Sequence, residues 1–134
     1  MKKSFAVVGL GRFGTNVALT LMESGAQVLA IDSNPECVKR ISSQVTCAVT
    51  INVCETESLK EAGLENMDGV VVAMGDNLEA SAMTIITAKE LGVPYILAKS
   101  NNDEAAKILS KIGADKVIYP EKDAGINVAK KLLC

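Results

Sequence analysis

Short apolar runs alternate along the whole chain with longer stretches of amphipathic character. The runs are Ser4–Leu10 (SFAVVGL), Gln27–Asp32 (QVLAID), Cys47–Asn52 (CAVTIN), Gly69–Met74 (GVVVAM), Pro94–Ser100 (PYILAKS) and Asp115–Pro120 (DKVIYP). Each is short and nearly continuous in apolar residues, as expected of strands covered on both faces of a parallel sheet. The stretches between them read as helices. Phe13–Ser24 places Val17, Leu19, Leu21 and Met22 for apolar contact and stops at Gly25, a C-terminal cap. Asn34–Ser42 opens with an asparagine N-cap and Pro35 at the first helical position. Glu55–Leu64 is a short helix closed by Gly63, and Asn77–Gly92 and Asn102–Gly113 each end on glycine. Glu121–Leu133 is the last helix. Six such β-α units, with no linker or low-complexity segment between them, predict one α/β domain over residues 1–134. Right-handed crossovers then give a Rossmann-like, doubly wound, six-stranded parallel sheet in the order 3-2-1-4-5-6.

Composition narrows the classes of function. A chain of 134 residues is long enough for one domain with a real core. Apolar residues make up 49% of it, yet no run approaches the roughly 20 needed to span a bilayer. The opening MKKSF is followed by an apolar run too short for a signal sequence, so a cytoplasmic protein is expected. The net charge is -2, with acids and bases mixed, and aromatic residues are only 3%, without tryptophan. Neither a basic nucleic-acid face nor a base-stacking platform is foreseen. Cys37, Cys47, Cys54 and Cys134 form no C-x-x-C pair, and there is no histidine. Reduced thiols are the plain reading; a zinc site or a cysteine-based redox sensor would have to gather scattered residues. The lack of histidine also removes the commonest general acid–base near neutral pH.

The chemistry concentrates in AVVGLGRFG, where Gly9, Gly11 and Gly14 form G-x-G-x-x-G between a strand and a helix. In this motif the first glycine makes the tight turn, the second lets phosphate approach the backbone, and the third lets the helix pack on the strand. The helix N-terminus then offers free N–H groups and partial positive charge to an anion. Asp32 ends the second strand 18 residues after Gly14, where a carboxylate accepts from ribose hydroxyls and repels a 2′-phosphate. Arg12, inside the loop, suits a longer or more charged phosphate tail than a dinucleotide carries. Asn52 ends the third strand, at the expected adenine mouth, and is either an adenine-edge partner or a turn residue. Ala73 and Gly75 are small enough to let a nucleotide lie on the strand ends, while Asp76 or Asn77 caps the fourth helix. Lys99 falls at the carboxyl end of strand five, where ligands of such sheets bind. The expected contact set is Gly9, Leu10, Gly11, Arg12, Phe13, Gly14, Asp32, Ser33, Asn52, Val53, Ala73, Met74, Gly75 and Lys99. Glu121 and Asp123 open the last helix, where acids complement the helix dipole or, in the sharper reading, Glu121 faces a phosphate-bound Mg2+ or Ca2+.

An NAD-dependent oxidoreductase is the main alternative. Tyr95 and Lys99 match Y-x-x-x-K, but a catalytic pair of that spacing needs a helix, where the residues lie ~6 Å apart. On a strand they are separated by ~13 Å. All six strands are used by the nucleotide fold, which leaves no substrate domain.

FAVVGLGRFG, VLAIDSNPECV, VVVAMGDNLEAS, LAKSNN and KIGADKVIYPEKDAG together resemble the RCK N-terminal, or TrkA-N, domain family, in particular cytosolic regulatory subunits of Ktr-type potassium uptake. The resemblance implies a non-catalytic switch that binds ATP, ADP or NAD(H). It implies pairing of domains into homodimers, assembly of these into a ring of eight, and docking on the cytoplasmic face of a membrane potassium channel or transporter. It implies phosphate contacts from Gly9, Gly11, Arg12 and Gly14, ribose contact from Asp32, and adenine near Asn52. Arg12 is similar to the family arginine that reaches a γ-phosphate, often across a subunit boundary, and Glu121 to a glutamate that helps bind a divalent cation there. Val53 and Cys54 depart from the family's small residue and threonine. The family's usual C-terminal domain is expected to lie outside this chain.

Overall fold

The computed structural model describes residues 2–134. Six parallel strands form one sheet: β1 (Ser4–Val8), β2 (Gln27–Asp32), β3 (Cys47–Thr50), β4 (Gly69–Val72), β5 (Ile96–Lys99) and β6 (Lys116–Ile118). Their order is β3-β2-β1-β4-β5-β6, the order expected from the sequence. The helices are α1 (Arg12–Glu23), α2 (Pro35–Ile41), α3 (Thr56–Glu61), α4 (Leu78–Glu90), α5 (Asp103–Ile112) and α6 (Pro120–Leu133). Single 3-10 turns at Ser42–Gln44 and Leu64–Asn66 lead into β3 and β4.

Side chains alternate across each strand, so the sheet builds two cores. Val7, Val28 and Ala30 face Ala18 of α1 and Val38 and Ile41 of α2. Ala6, Val8, Leu29, Ile31, Val70 and Val72 belong to a second cluster with Leu59, Ile85 and Leu109 of α3, α4 and α5. Both faces of β1 and β2 are therefore buried, which is why these strands read as unbroken apolar runs.

The sheet reverses its winding at β1, which pairs with β2 on one side and β4 on the other. The chain leaves β1 toward one face and β4 toward the opposite face. The carboxyl ends of these neighbours consequently part and leave a crevice, the place where sheets of this kind receive ligands. β2 fills its whole run and ends at Asp32, but the other strands of the crevice stop short of theirs. β1 ends at Val8, β3 at Thr50 and β4 at Val72, so Leu10, Asn52, Ala73 and Met74 belong to the loops above the sheet.

Candidate functional site

Gly9 follows β1 with φ +103°, a left-handed conformation that disfavours any side chain. A Cβ there would also meet the carbonyl oxygen of Ala73 at 2.6 Å, so the turn is fitted against the end of β4. A Cβ on Gly14 would overlap the carbonyl oxygen of Gly9, which explains how closely α1 sits on the loop. Gly11 is different. It is the N-cap of α1, in extended conformation, and nothing lies within 4 Å of where its Cβ would be. Its missing side chain leaves open space directly over the helix N-terminus. In α2, α4 and α5 the caps Asn34, Asn77 and Asn102 each accept a first-turn N–H, whereas the α1 cap, like those of α3 and α6, supplies no side-chain acceptor, and α1 alone of these three opens on the glycine loop. The donors of the first turn of α1 are left to a partner from outside the helix.

Asp32 closes the other side of the loop. Its Oδ2 accepts the Leu10 N–H at 2.7 Å and its Oδ1 accepts the Asn34 N–H at 2.9 Å. One carboxylate thus pins the glycine turn to the start of α2, and each oxygen keeps a lone pair for a hydroxyl donor. Leu10 is itself 2% exposed, so its contribution to the crevice is mainly its backbone.

A cavity of about 320 Å3 runs from this loop across the sheet, lined by Gly9, Leu10, Gly11, Asp32, Ala73, Met74, Gly75, Asp76, Lys99, Asn101 and Glu121. Nine of the fifteen residues expected at the site meet there. Arg12 is the first residue of α1, exposed at the rim and without an ion pair among the described residues. Phe13 lies half-buried beneath Lys99, and Gly14 is used in packing α1. Ser33 is exposed beside Asp32. Val53 does not line the crevice; at 5% exposure it belongs to the core below the sheet, because Val53 continues the apolar pattern past β3. Asn52 makes a turn: its Oδ1 accepts the Cys54 N–H at 3.1 Å, leaving its Nδ2 hydrogens free. Asn77, not Asp76, caps α4, and Asp76 instead lines the cavity. Asn101, in the loop after β5, is not among the expected contacts; its sequence signals are its place two residues beyond Lys99 and within LAKSNN.

The lysine and the glutamate meet each other. Lys99 Nζ lies 3.7 Å from Glu121 Oε1 and 5.7 Å from the centroid of the Phe13 ring. These contacts join β5, α6 and α1 at one end of the crevice. Tyr95 stands just before β5 and Lys99 ends it, so the two are spaced along extended chain and form no acid–base pair. Among the described residues, no three His, Cys, Asp or Glu side chains gather as a metal site. The four cysteines are unpaired. Cys54 donates to Glu79 Oε1 at 3.7 Å; loss of solvent contact and then this carboxylate push its thiol pKa up. Among the described residues no helix is long and apolar enough to cross a membrane.

The TrkA-N domain family model matches residues 5–120. The Ktr system potassium uptake protein A of Bacillus subtilis is 45% identical over 97% of this chain and 59% of its own length. The protein of the same description from Vibrio alginolyticus is 44% identical over 98% of this chain and 60% of its own. This chain therefore spans about three fifths of these relatives. Among solved structures, the TrkA-N domain of the inner membrane protein ybaL from Escherichia coli superposes with a TM-score of 0.86 at 20% identity, covering 98% of both chains. The Kef CTD of Shewanella denitrificans in its AMP-bound form gives 0.79 at 21% identity, covering 98% of this chain and 81% of that one. At these identities the superpositions establish the fold.

Proposed function

This chain belongs to the TrkA-N domain family, and on that premise we propose that it is a nucleotide-responsive regulatory domain of a membrane potassium channel or transporter. The observation that carries the reading is the crevice at the sheet's reversal. It offers an uncapped helix N-terminus beneath open space at Gly11, a fixed carboxylate at Asp32, and a lysine at the far end. These are the parts a nucleotide needs: an anion cradle, a ribose acceptor and a counter-charge. The cavity's volume falls in the range of small-molecule sites, about 300–1,000 Å3. The AMP-bound relative fold and the potassium uptake proteins support the same reading.

In this reading Gly9, Gly11 and Gly14 shape the phosphate loop, and the first-turn N–H groups of α1 receive the phosphates. Asp32 takes the ribose hydroxyls, flanked by Ser33. Asn52, through its free Nδ2, borders the adenine, and Ala73, Met74 and Gly75 form the floor. Arg12, exposed at the rim, reaches the γ-phosphate, including that of a neighbouring subunit. Glu121 helps hold Mg2+ or Ca2+, with phosphate oxygens supplying the other ligands. ATP and ADP then favour different shapes of a homo-oligomeric ring, built from homodimers and docked on the cytoplasmic face of the membrane partner. A ligand shifts such an equilibrium only by its difference in affinity for the two shapes, and the γ-phosphate is that difference. NAD(H) competes for the same cradle, since Asp32 suits its ribose equally.

Calorimetric titration of the purified chain with ATP, ADP and NADH tests the proposal. Wild-type protein should bind ATP more tightly than ADP, and Arg12→Ala should narrow the gap between the two affinities. An unchanged ratio removes Arg12 from this role, and no binding of any of the three removes the nucleotide reading.

A further inference from the structure

The crevice has two ends of unlike character, and the end away from Asp32 is built around one lysine. The Lys99 side chain is only 17% exposed. Its stem lies where a Cβ on Gly75 would come within 2.9 Å of Cε, and its ammonium faces the Phe13 ring. Both contacts hold it in place whatever happens to its charge partner. That partner, Glu121, is 74% exposed, on a helix whose residues 121–134 are all exposed. The pair is therefore one fixed cation and one loosely held carboxylate. A pair of this kind is weak, because solvent screens the exposed partner and its side chain must be ordered to make the contact.

We propose that Lys99 makes the crevice selective for a nucleoside triphosphate over a dinucleotide, by giving up the Glu121 carboxylate in exchange for the terminal phosphate. The inference rests on the nucleotide reading above and names the ligand class for the same site. A nucleotide whose ribose sits at Asp32 and whose phosphates cross Gly11 directs its remaining part past Gly75, toward Lys99, Asn101 and Glu121. In a dinucleotide that part is a ribosyl-nicotinamide. A neutral reduced ring would have to strip water from an ammonium and a carboxylate without offering charge in return. A cationic oxidised ring would meet the ammonium directly. A terminal phosphate instead brings more negative charge than the carboxylate it displaces, and meets a cation already in position. The displaced Glu121 is then free to face a cation on that phosphate, and α6 loses a tie to the body.

Two substitutions with opposite expected signs test this, in titrations with ATP, ADP and NADH in chelator-treated, divalent-free buffer. Lys99→Met keeps the stem against Gly75 and removes the charge; ATP affinity should fall about tenfold or more, and the ATP-to-NADH preference should fall with it. Glu121→Gln, at an exposed position, removes the competing carboxylate; ATP affinity should rise several-fold, with a smaller gain for ADP. An ATP-to-NADH ratio unchanged by Lys99→Met, or weaker ATP binding in Glu121→Gln, overturns the exchange while leaving nucleotide binding intact. A wild-type chain that binds none of the three overturns both readings together.

Discussion

Gly11 is the position at which binding and folding separate most cleanly. Its φ of -74° suits any residue, and an added side chain would enter open space rather than the protein. Gly11→Leu is therefore expected to lose only the worth of a glycine N-cap, about 1 kcal/mol or a few degrees in melting temperature, while losing nucleotide binding, measured by thermal denaturation and titration on one sample. Gly14→Ala makes the opposite case. Its methyl would strike the Gly9 carbonyl, and the expected cost is upwards of about 2 kcal/mol in a denaturant melt. The two glycines look alike in G-x-G-x-x-G, and the motif does not say which serves the ligand and which the packing. Cys54 carries a third expectation. With its pKa raised, it holds less thiolate at pH 8 than an ordinary exposed cysteine, so alkylation there should be slower than at exposed Cys47. Glu79→Gln should narrow that gap, as read by mass spectrometry of the labelled peptides. Asn52 and Lys99 show the limit of reading single residues. Residue type placed both at strand ends, but the sequence has no signal that one turns back on its own loop while the other meets a glutamate from α6.

Strands and helices were legible because their causes are local. Asparagine caps at Asn34, Asn77 and Asn102 and glycine stops at Gly25, Gly92 and Gly113 mark helix ends directly in the sequence. Asn102→Ala should cost about 1 kcal/mol in a urea melt, the usual worth of such a cap. Strand ends were less legible. The apolar run of β1 continues through Leu10, but ladder pairing stops at Val8 because the left-handed Gly9 turns the chain. The runs of β3 and β4 likewise outlast their strands. Apart from exposed Asn52, the extra residues are buried or half-buried in site loops, so apolar character alone does not separate ladder from loop. The amino ends are held by non-local side chains: Asp68 accepts the Ser4 N–H and Asp115 accepts the Ile96 N–H, both across long sequence separations. Asp115→Ala is expected to destabilise by about 1 kcal/mol in the same assay, by leaving that N–H without its partner.

At the scale of the molecule, alternation and handedness pointed to a doubly wound sheet, the observed order is the one expected of it, and the crevice follows from that order. What the sheet does not determine is how α6 is used. Its residues from Glu121 on are exposed, with Ile126, Val128, Leu132 and Leu133 among them, and the Lys99–Glu121 pair ties its first turn to the crevice. In the proposed reading, this tie is where the content of the crevice reaches α6, and through α6 the neighbouring domains of a ring. If nucleotide occupancy changes the assembly, small-angle X-ray scattering of the purified chain with ATP, with ADP and with neither measures the change directly. The expected result is an oligomer whose scattering profile differs between ATP and ADP at saturating concentrations, with the difference reduced in Arg12→Ala. Superimposable ATP and ADP profiles from protein shown to be saturated with each nucleotide would contradict it.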